Sequence, residues 1–205
     1  LGIATAIFAL TVVPFRLVEK TPRNALRVPF MDALFPDARF VVVRRDGRAV
    51  ISSLIEGWMT PGRHESYDVP EPIRIGGYPG RKWCYLLPPG WRDLLRLPLE
   101  EVCAAQWLAC MEAIARETAP LRAAGRVHDV SYEGLVADPD GTLRGVCRFL
   151  RIPEEGVLPE GGRLPLAASL SPPSPDKWRR LNGPLVERVL PLIAPVQRRL
   201  GYPVG

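Results

Sequence analysis

The sequence contains few of the residues that bind metals. Its 205 residues include four cysteines and two histidines, and no two cysteines are spaced as Cys-x-x-Cys, so we expect no metal site. Cys103 and Cys110 lie two turns apart on one predicted helix, about 10 Å by helical rise, which is too far for a disulfide. We interpret all four cysteines as reduced thiols, which favours a cytoplasmic protein.

Long apolar runs and dense basic blocks are also missing. Residues 1–13 are apolar and uncharged but shorter than the about 20 residues of a membrane span, and they lack the basic start of a signal peptide. Because the chain does not begin with Met, we expect it to be truncated at its N-terminus. The net charge of +5 suits small anionic ligands, and no Lys/Arg block is dense enough to predict nucleic-acid binding. We expect one domain spanning residues 1–205; the oligomeric state cannot be predicted.

The most informative stretch is a predicted strand–turn–helix unit at residues 36–54. Residues 40–43 form a short β-branched apolar run, which is typical of a strand buried in a parallel sheet. Asp46 can cap a following helix and Gly47 gives the backbone room to turn. Apolar side chains then recur at helical spacing, at Val50, Leu54 and Trp58.

This turn suits an anion. Arg45 lies at the carboxyl end of the strand, where open α/β sheets bind ligands. The first helical N–H groups have no partner within the helix, and the helix dipole favours negative charge there. Ser53, two turns into the helix, can offer a hydroxyl to the same group. On spacing alone, the arginines of this turn are equally well explained as solvated charges.

Two more segments complete an α/β pattern. Residues 15–19 are predicted to be a strand that leads through Lys20 into a helix, with Thr21 as N-cap and Pro22 in the first turn; Pro36 ends that helix. Residues 126–131 are predicted to be another strand. Alternating strands and helices imply a parallel sheet with helices on both faces.

Two proline-rich segments are predicted to be irregular. Residues 58–98 interleave prolines with aromatic residues, and a long irregular segment inside a domain is usually functional. Their aromatic side chains either line an acceptor pocket or anchor the segment on the core. Residues 153–180 begin as a Pro/Gly/Ser-rich linker and end in a basic segment at Lys177, which by composition alone would be solvated.

Segments 35–40 and 45–53 resemble the 3′-phosphate-binding segment of sulfotransferases that use 3′-phosphoadenosine 5′-phosphosulfate (PAPS). In that family, an arginine at the strand end and a serine eight residues later hold the 3′-phosphate, and Arg45 and Ser53 have this separation. The resemblance implies a P-loop NTPase-like sulfotransferase fold. It also implies PAPS as the sulfonate donor and a small-molecule or peptide acceptor that bears a hydroxyl.

Three further segments are similar to sulfotransferases. Lys20-Thr21-Pro22 resembles the Lys-x-Pro turn of bacterial and tyrosyl-protein sulfotransferases, which implies a catalytic position for Lys20 near the transferring sulfonate. Tyr132 begins a segment similar to the Tyr-Glu-Asp-Leu turn, with Gly in place of Asp, and the resemblance implies a role in nucleotide binding. Lys177 precedes Trp178 as in the C-terminal nucleotide-binding loop, which implies that 153–180 is that loop and that its lysine reaches the phosphates.

The family's glycine/serine loop for the 5′-phosphosulfate has no counterpart in residues 1–13. The catalytic base commonly follows that loop, so we expect it to lie outside this sequence. Three interpretations remain: a sulfotransferase given without its first segment, a catalytically incomplete module that keeps the 3′-phosphate half-site, and a nucleotide kinase-like protein. The last is disfavoured because no Gly-x-x-x-x-Gly-Lys loop is present.

Overall fold

The protein is described here from a computed structural model, which covers residues 17–60, 62, 66–157 and 176–204. Strands β1 (Phe40–Arg44) and β4 (Val127–Ser131) pair in parallel, in a register that runs from Phe40 opposite Val127 to Arg44 opposite Ser131. One valine of each strand is buried, at Val42 and Val130. The predicted α/β fold with a parallel sheet flanked by helices is confirmed, as are the strands predicted near 39–44 and 126–131.

Helix α2 (Gly47–Trp58) begins directly after β1. Asp46 is its N-cap, and a carboxylate oxygen of this residue accepts a hydrogen bond from the Arg48 amide at 2.9 Å. The buried face of α2, formed by Ile51, Ile55 and Trp58, joins the main core cluster. Helices α3 (Leu99–Glu117) and α7 (Lys177–Arg199) both contact α2, so the helix after the arginine turn is fixed from two sides.

The remaining elements are short. Within the described residues, two 3-10 turns, five helices or strands of fewer than eight residues and one longer helix connect the parts described above. Strands β2 and β3 pair antiparallel inside the proline-rich segment. The bounds are 3-10 Pro22–Leu26, α1 (Val28–Leu34), β2 (Ser66–Tyr67), β3 (Trp83–Cys84), 3-10 Trp91–Leu94, α4 (Ala119–Ala123), α5 (Tyr132–Ala137) and α6 (Pro139–Leu150).

The predicted strand at 15–19 is not found at residues 17–19, the part of it that the structure describes. Residues 17–20 have no regular secondary structure, and residues 15 and 16 lie outside the described ranges. The helix predicted after Pro22 is divided at Arg27, which has non-helical angles (φ −136°, ψ 23°). Pro29 explains the division, because a proline lacks the helical N–H and clashes with the preceding turn, so a new helix begins with Pro29 in its first turn.

The C-terminal helix starts earlier than the sequence predicts, at Lys177 instead of residue 185. The pair Gly183-Pro184 predicts that the final helix, residues 185–200, begins only after it, because both residues disfavour a helix interior. The structure places non-helical angles at Asn182 (φ −136°, ψ 22°) and continues the helix on both sides. Most of the predicted linker, residues 158–175, lies outside the described ranges.

Aromatic residues anchor the proline-rich segment to the core. The Trp58 ring contacts Tyr78 and Trp83 edge to face, at 4.9 and 5.3 Å between ring centres, and Trp83 contacts Trp91 at 5.8 Å. Trp58 and Trp83 are almost fully buried. Of the two roles considered for these rings, anchoring accounts for Trp58 and Trp83.

Among the helices of the described ranges, none has the length and apolar character that a bilayer span requires.

Candidate functional site

Arg45 and Tyr132 lie side by side at the carboxyl ends of the two parallel strands. Arg44 and Ser131 are opposite each other in the register, so the next residues of both strands emerge together. The Arg45 guanidinium carbon is 4.4 Å from the centre of the Tyr132 ring, which is within the range of a cation–π contact. Both side chains are half-buried, so the ring holds the guanidinium at the edge of the sheet.

The three arginines of this turn have different partners. Arg44 forms an ion pair with Asp129 at 3.5 Å. Arg48 is buried and pairs with Asp46 at 2.7 Å. In the parts of the chain that the structure describes, no carboxylate lies within ion-pair distance of Arg45. Arg45 therefore keeps its charge available for an external anion, while its neighbours are neutralised.

Three backbone amides at the start of α2 already donate hydrogen bonds to side chains of the protein. The Asp46 amide donates to Glu133 Oε1 at 3.0 Å, and the Gly47 amide donates to Gln197 Oε1 at 2.9 Å. The Arg48 amide donates to the capping carboxylate. The expectation that the first N–H groups of this helix face an anion is therefore wrong for these three. These three amides therefore do not contribute to binding an anion in this structure.

Lys20 and Arg45 both line one cavity of about 860 Å³. Its walls are largely apolar and include Val50 and Leu54 from α2. Lys20 is exposed, and an exposed lysine reaches a cavity rim through its flexible stem. The structure thus places Lys20 and Arg45 on one lining, although residues 17–19, the described part of the strand predicted before Lys20, form no strand. Ser53, adjacent to Leu54 on α2, is half-buried.

Lys177 returns to α2 from the C-terminal part of the chain. Its ammonium nitrogen lies 3.4 Å from Glu56 Oε2, and Glu56 is a neighbour of Ser53 on the helix surface because the two are three residues apart. The Asn182 amide donates to Ser52 Oγ at 2.9 Å. The start of α7 is thereby held along the same helix that carries Ser53.

Three residues that the sequence analysis did not select complete the surroundings of the turn. Gln197 and Glu133 accept the amide hydrogen bonds described above, and the Tyr202 hydroxyl donates to Glu133 Oε2 at 2.8 Å. Burial raises the pKa of Tyr202 to about 12, and the Glu133 carboxylate acts in the same direction. No local pattern indicates the bond from Gly47 to Gln197, because the two residues are 150 positions apart in sequence.

Comparison with known proteins decides the family. A model of the sulfotransferase family matches residues 5–76 and 81–156. The chain belongs to the sulfotransferase family. It is 26% identical over 203 residues to protein-tyrosine sulfotransferase 1 of Danio rerio, covering 91% of this chain and 48% of that protein. It is 24% identical over 202 residues to protein-tyrosine sulfotransferase A of Caenorhabditis elegans, covering 91% of this chain and 45% of that protein.

A solved structure agrees in fold. The sulfotransferase domain from the curacin biosynthetic pathway superposes with a TM-score of 0.57 at 20% identity, covering 94% of this chain and 64% of that domain. The sulfotransferase fold predicted from the sequence is therefore confirmed. The chain spans about half the length of the curated sulfotransferases it matches.

Proposed function

We propose that this sulfotransferase uses PAPS as donor and transfers its sulfonate to an acceptor hydroxyl, with Arg45 holding the 3′-phosphate. The proposal rests on which arginines of the turn are paired with a carboxylate. Arg45 is fixed on the Tyr132 ring and has no carboxylate partner among the described residues, whereas Arg44 and Arg48 are both paired.

The side chains around Arg45 fit a phosphate. A guanidinium presents a planar set of donors that matches phosphate oxygens, and contact with an aromatic ring restricts its motion. A phosphate monoester carries close to two negative charges at neutral pH, so one arginine compensates only part of them. We assign the remaining contacts to the Ser53 hydroxyl and to Lys177, which the Glu56 ion pair holds beside the same helix.

Lys20 is the proposed catalytic residue of this chain. It lines the same cavity as Arg45, and a lysine side chain is a mobile point charge that can follow a change in charge distribution. PAPS, when bound, supplies the activated sulfonate group. We propose that Lys20 compensates the negative charge that develops during transfer, as cationic groups do in phosphoryl transfer.

We assign the acceptor to the side of the proline-rich segment. A second cavity of about 710 Å³ is lined by Tyr67, Trp91 and two prolines, together with Arg23 and Arg27. The aromatic walls suit an acceptor with an aromatic ring. The named relatives are protein-tyrosine sulfotransferases, which supports the tyrosine hydroxyl of a peptide as acceptor.

The four free thiols support a reducing compartment such as the cytoplasm.

The test compares two nucleotides by calorimetry, 3′-phosphoadenosine 5′-phosphate and adenosine 5′-phosphate, which differ by the 3′-phosphate. Arg45→Ala should weaken binding of the first by about 1.5–3 kcal/mol, which is about ten- to hundredfold, and should leave the second nearly unchanged. Tyr132→Phe should retain the affinity, since the ring remains, whereas Tyr132→Leu should lose part of it.

Arg148→Ala is the matched control, because it removes the same charge from an exposed position on α6. Equal affinity of folded Arg45→Ala and the unmodified chain for 3′-phosphoadenosine 5′-phosphate would overturn the 3′-phosphate site. Transfer of labelled sulfonate to a tyrosine peptide then separates an enzyme from a module that binds the nucleotide without reacting it.

A further inference from the structure

Gln197 is fully buried and connects the C-terminal helix to the arginine turn. Its side-chain oxygen accepts the Gly47 amide hydrogen bond at 2.9 Å. Its side-chain nitrogen donates to Asp46 Oδ1 at 2.9 Å and to the Pro203 carbonyl at 3.3 Å. One amide side chain thus bonds two consecutive residues that follow Arg45.

Glu133 forms the corresponding connection beside Tyr132. Its Oε1 accepts the Asp46 amide at 3.0 Å, and its Oε2 accepts the hydroxyls of Tyr202 and Ser131 at 2.8 and 3.2 Å. Tyr202 is itself tied to α7, because its amide donates to the Gln197 carbonyl at 3.0 Å. The C-terminal segment therefore reaches the residue that follows Tyr132.

These hydrogen bonds hold the two sides of the Arg45–Tyr132 contact against each other. Asp46 follows Arg45 in sequence and Glu133 follows Tyr132, and the bond between Asp46 and Glu133 closes the arrangement. Neither Gln197 nor Tyr202 needs to touch a ligand in order to act here. Gln197 holds the Gly47 amide, two residues after Arg45, and Tyr202 holds the Glu133 carboxylate that accepts the Asp46 amide.

We propose that Gln197 and Tyr202 are positioning residues that set the affinity of the Arg45 site for the 3′-phosphate. The inference rests on the proposed function. A guanidinium whose backbone is held loses less conformational freedom when it binds, so a pre-organised site binds more tightly than a loose one with the same contacts. Removing the support should therefore reduce affinity for the 3′-phosphate and spare the rest of the nucleotide.

The first test uses a pair of tyrosine variants. Tyr202→Phe removes only the hydroxyl that bonds Glu133, and we expect it to weaken binding of 3′-phosphoadenosine 5′-phosphate about three- to tenfold without affecting adenosine 5′-phosphate. Tyr78→Phe is the matched control, because the Tyr78 hydroxyl donates to the Lys82 carbonyl at 2.9 Å in the proline-rich segment. This control should bind both nucleotides as the unmodified chain does. Calorimetry is performed well below the thermal midpoint of each variant.

The second test uses pH to restore a hydrogen bond. Gln197→Glu keeps an acceptor for the Gly47 amide but, when ionised, brings a carboxylate to Asp46 in place of a donor. Lowering the pH from 8 to 5.5 protonates the new side chain in part and returns the donor. The affinity of Gln197→Glu relative to the unmodified chain should therefore rise as the pH falls. A role in stability alone would not restore affinity in this way.

The comparison at each pH removes contributions that both proteins share. Besides Asp46, the charged and titratable groups that face position 197 are the Arg48 guanidinium, which pairs with Asp46, and, through the turn, Glu133 and Tyr202. These groups and the ligand phosphate are present in both proteins, so their contributions cancel in the ratio of affinities. Gln197→Leu, which has no titratable group at this position, should show a constant affinity ratio.

The outcomes separate this inference from the proposed function. If Arg45→Ala loses discrimination of the 3′-phosphate and Tyr202→Phe and Gln197→Glu do not, the positioning role is overturned and the proposed function stands. If Arg45→Ala binds as the unmodified chain does, the proposed function falls, and the positioning role falls with it. Reduced discrimination in all three variants, with the pH-dependent recovery in Gln197→Glu, supports both.

Discussion

Lys177 forms an ion pair with Glu56, at 3.4 Å between ammonium nitrogen and carboxylate oxygen, across 121 residues of sequence. The pair is partly exposed, with about a fifth of each side chain accessible. The other carboxylate oxygen of Glu56 is buried and lacks a hydrogen-bond partner in the described parts of the chain. Glu56 thus holds Lys177 beside Ser53 and also competes with any phosphate for its charge.

Glu56→Gln should strengthen binding of 3′-phosphoadenosine 5′-phosphate, because Lys177 no longer has to leave a carboxylate. Partly exposed pairs contribute up to about 1 kcal/mol, so the gain should be at most about fivefold. Calorimetry measures it. In the double variant Glu56→Gln/Lys177→Ala the gain should disappear; a gain that persists without Lys177 would show that the lysine is not the cause.

Gly47→Ala should destabilise the fold. A Cβ atom at this position would lie 2.8 Å from the ring of Trp107, a buried residue of α3, and inserting a methyl group into a packed core costs about 1–3 kcal/mol. Urea denaturation measures the free energy of unfolding. Gly145→Ala is the matched control, since its Cβ would meet only His128 at 3.8 Å. The methyl group in α6 should raise stability by up to about 1 kcal/mol. Unchanged stability in Gly47→Ala would contradict the close approach.

The stability contributed by Asp129 should depend on pH. Burial acts to raise the pKa of Asp129, but the hydrogen bond from Arg122, with the charges of Arg122, Arg44 and His128, lowers it below 3.8 overall. A carboxyl whose pKa is lower when folded stabilises the protein above its unfolded pKa, and this contribution is lost as the pH falls through the folded value.

Asp129→Asn should therefore be less stable than the unmodified chain at pH 7. The difference in the free energy of unfolding should shrink as the pH is lowered below about 4. Urea titrations at several pH values provide the comparison. Asp68→Asn serves as control, because it removes an exposed ion pair with Lys82. A difference that stays constant down to pH 2 would disprove the role of the ionised Asp129.

Local chemistry predicted the elements that carry the candidate site. The β-branched run at 40–43 and the cap at Asp46 specify β1 and the start of α2 through their own side chains. Tyr132 was placed after a strand by the same reasoning. These features depend on residues within one or two turns of each other, which is the range over which propensity and capping act.

Features that depend on distant partners were not predictable. Gln197 lies within the predicted final helix, but only tertiary packing buries its amide and gives it a partner at Gly47. The same limit explains the amides of α2, which have no partner within the helix but find acceptors from other segments. The early start of α7 also depends on tertiary packing, because Trp178, the second residue of the helix, is buried in the core.

The register of β1 against β4 determines which charged side chain lies beside Tyr132 at the carboxyl edge of the sheet. Strand registers are fixed by which side chains face the core, here by burial of Val42 and Val130, while Val43 is exposed. A shift of β1 by one residue would put Asp46 or Arg44, depending on its direction, opposite Tyr132 in place of Arg45. The two buried valines thus decide which charged side chain lies beside Tyr132 at this edge. Substitutions that loosen their packing should impair anion selectivity before they impair folding.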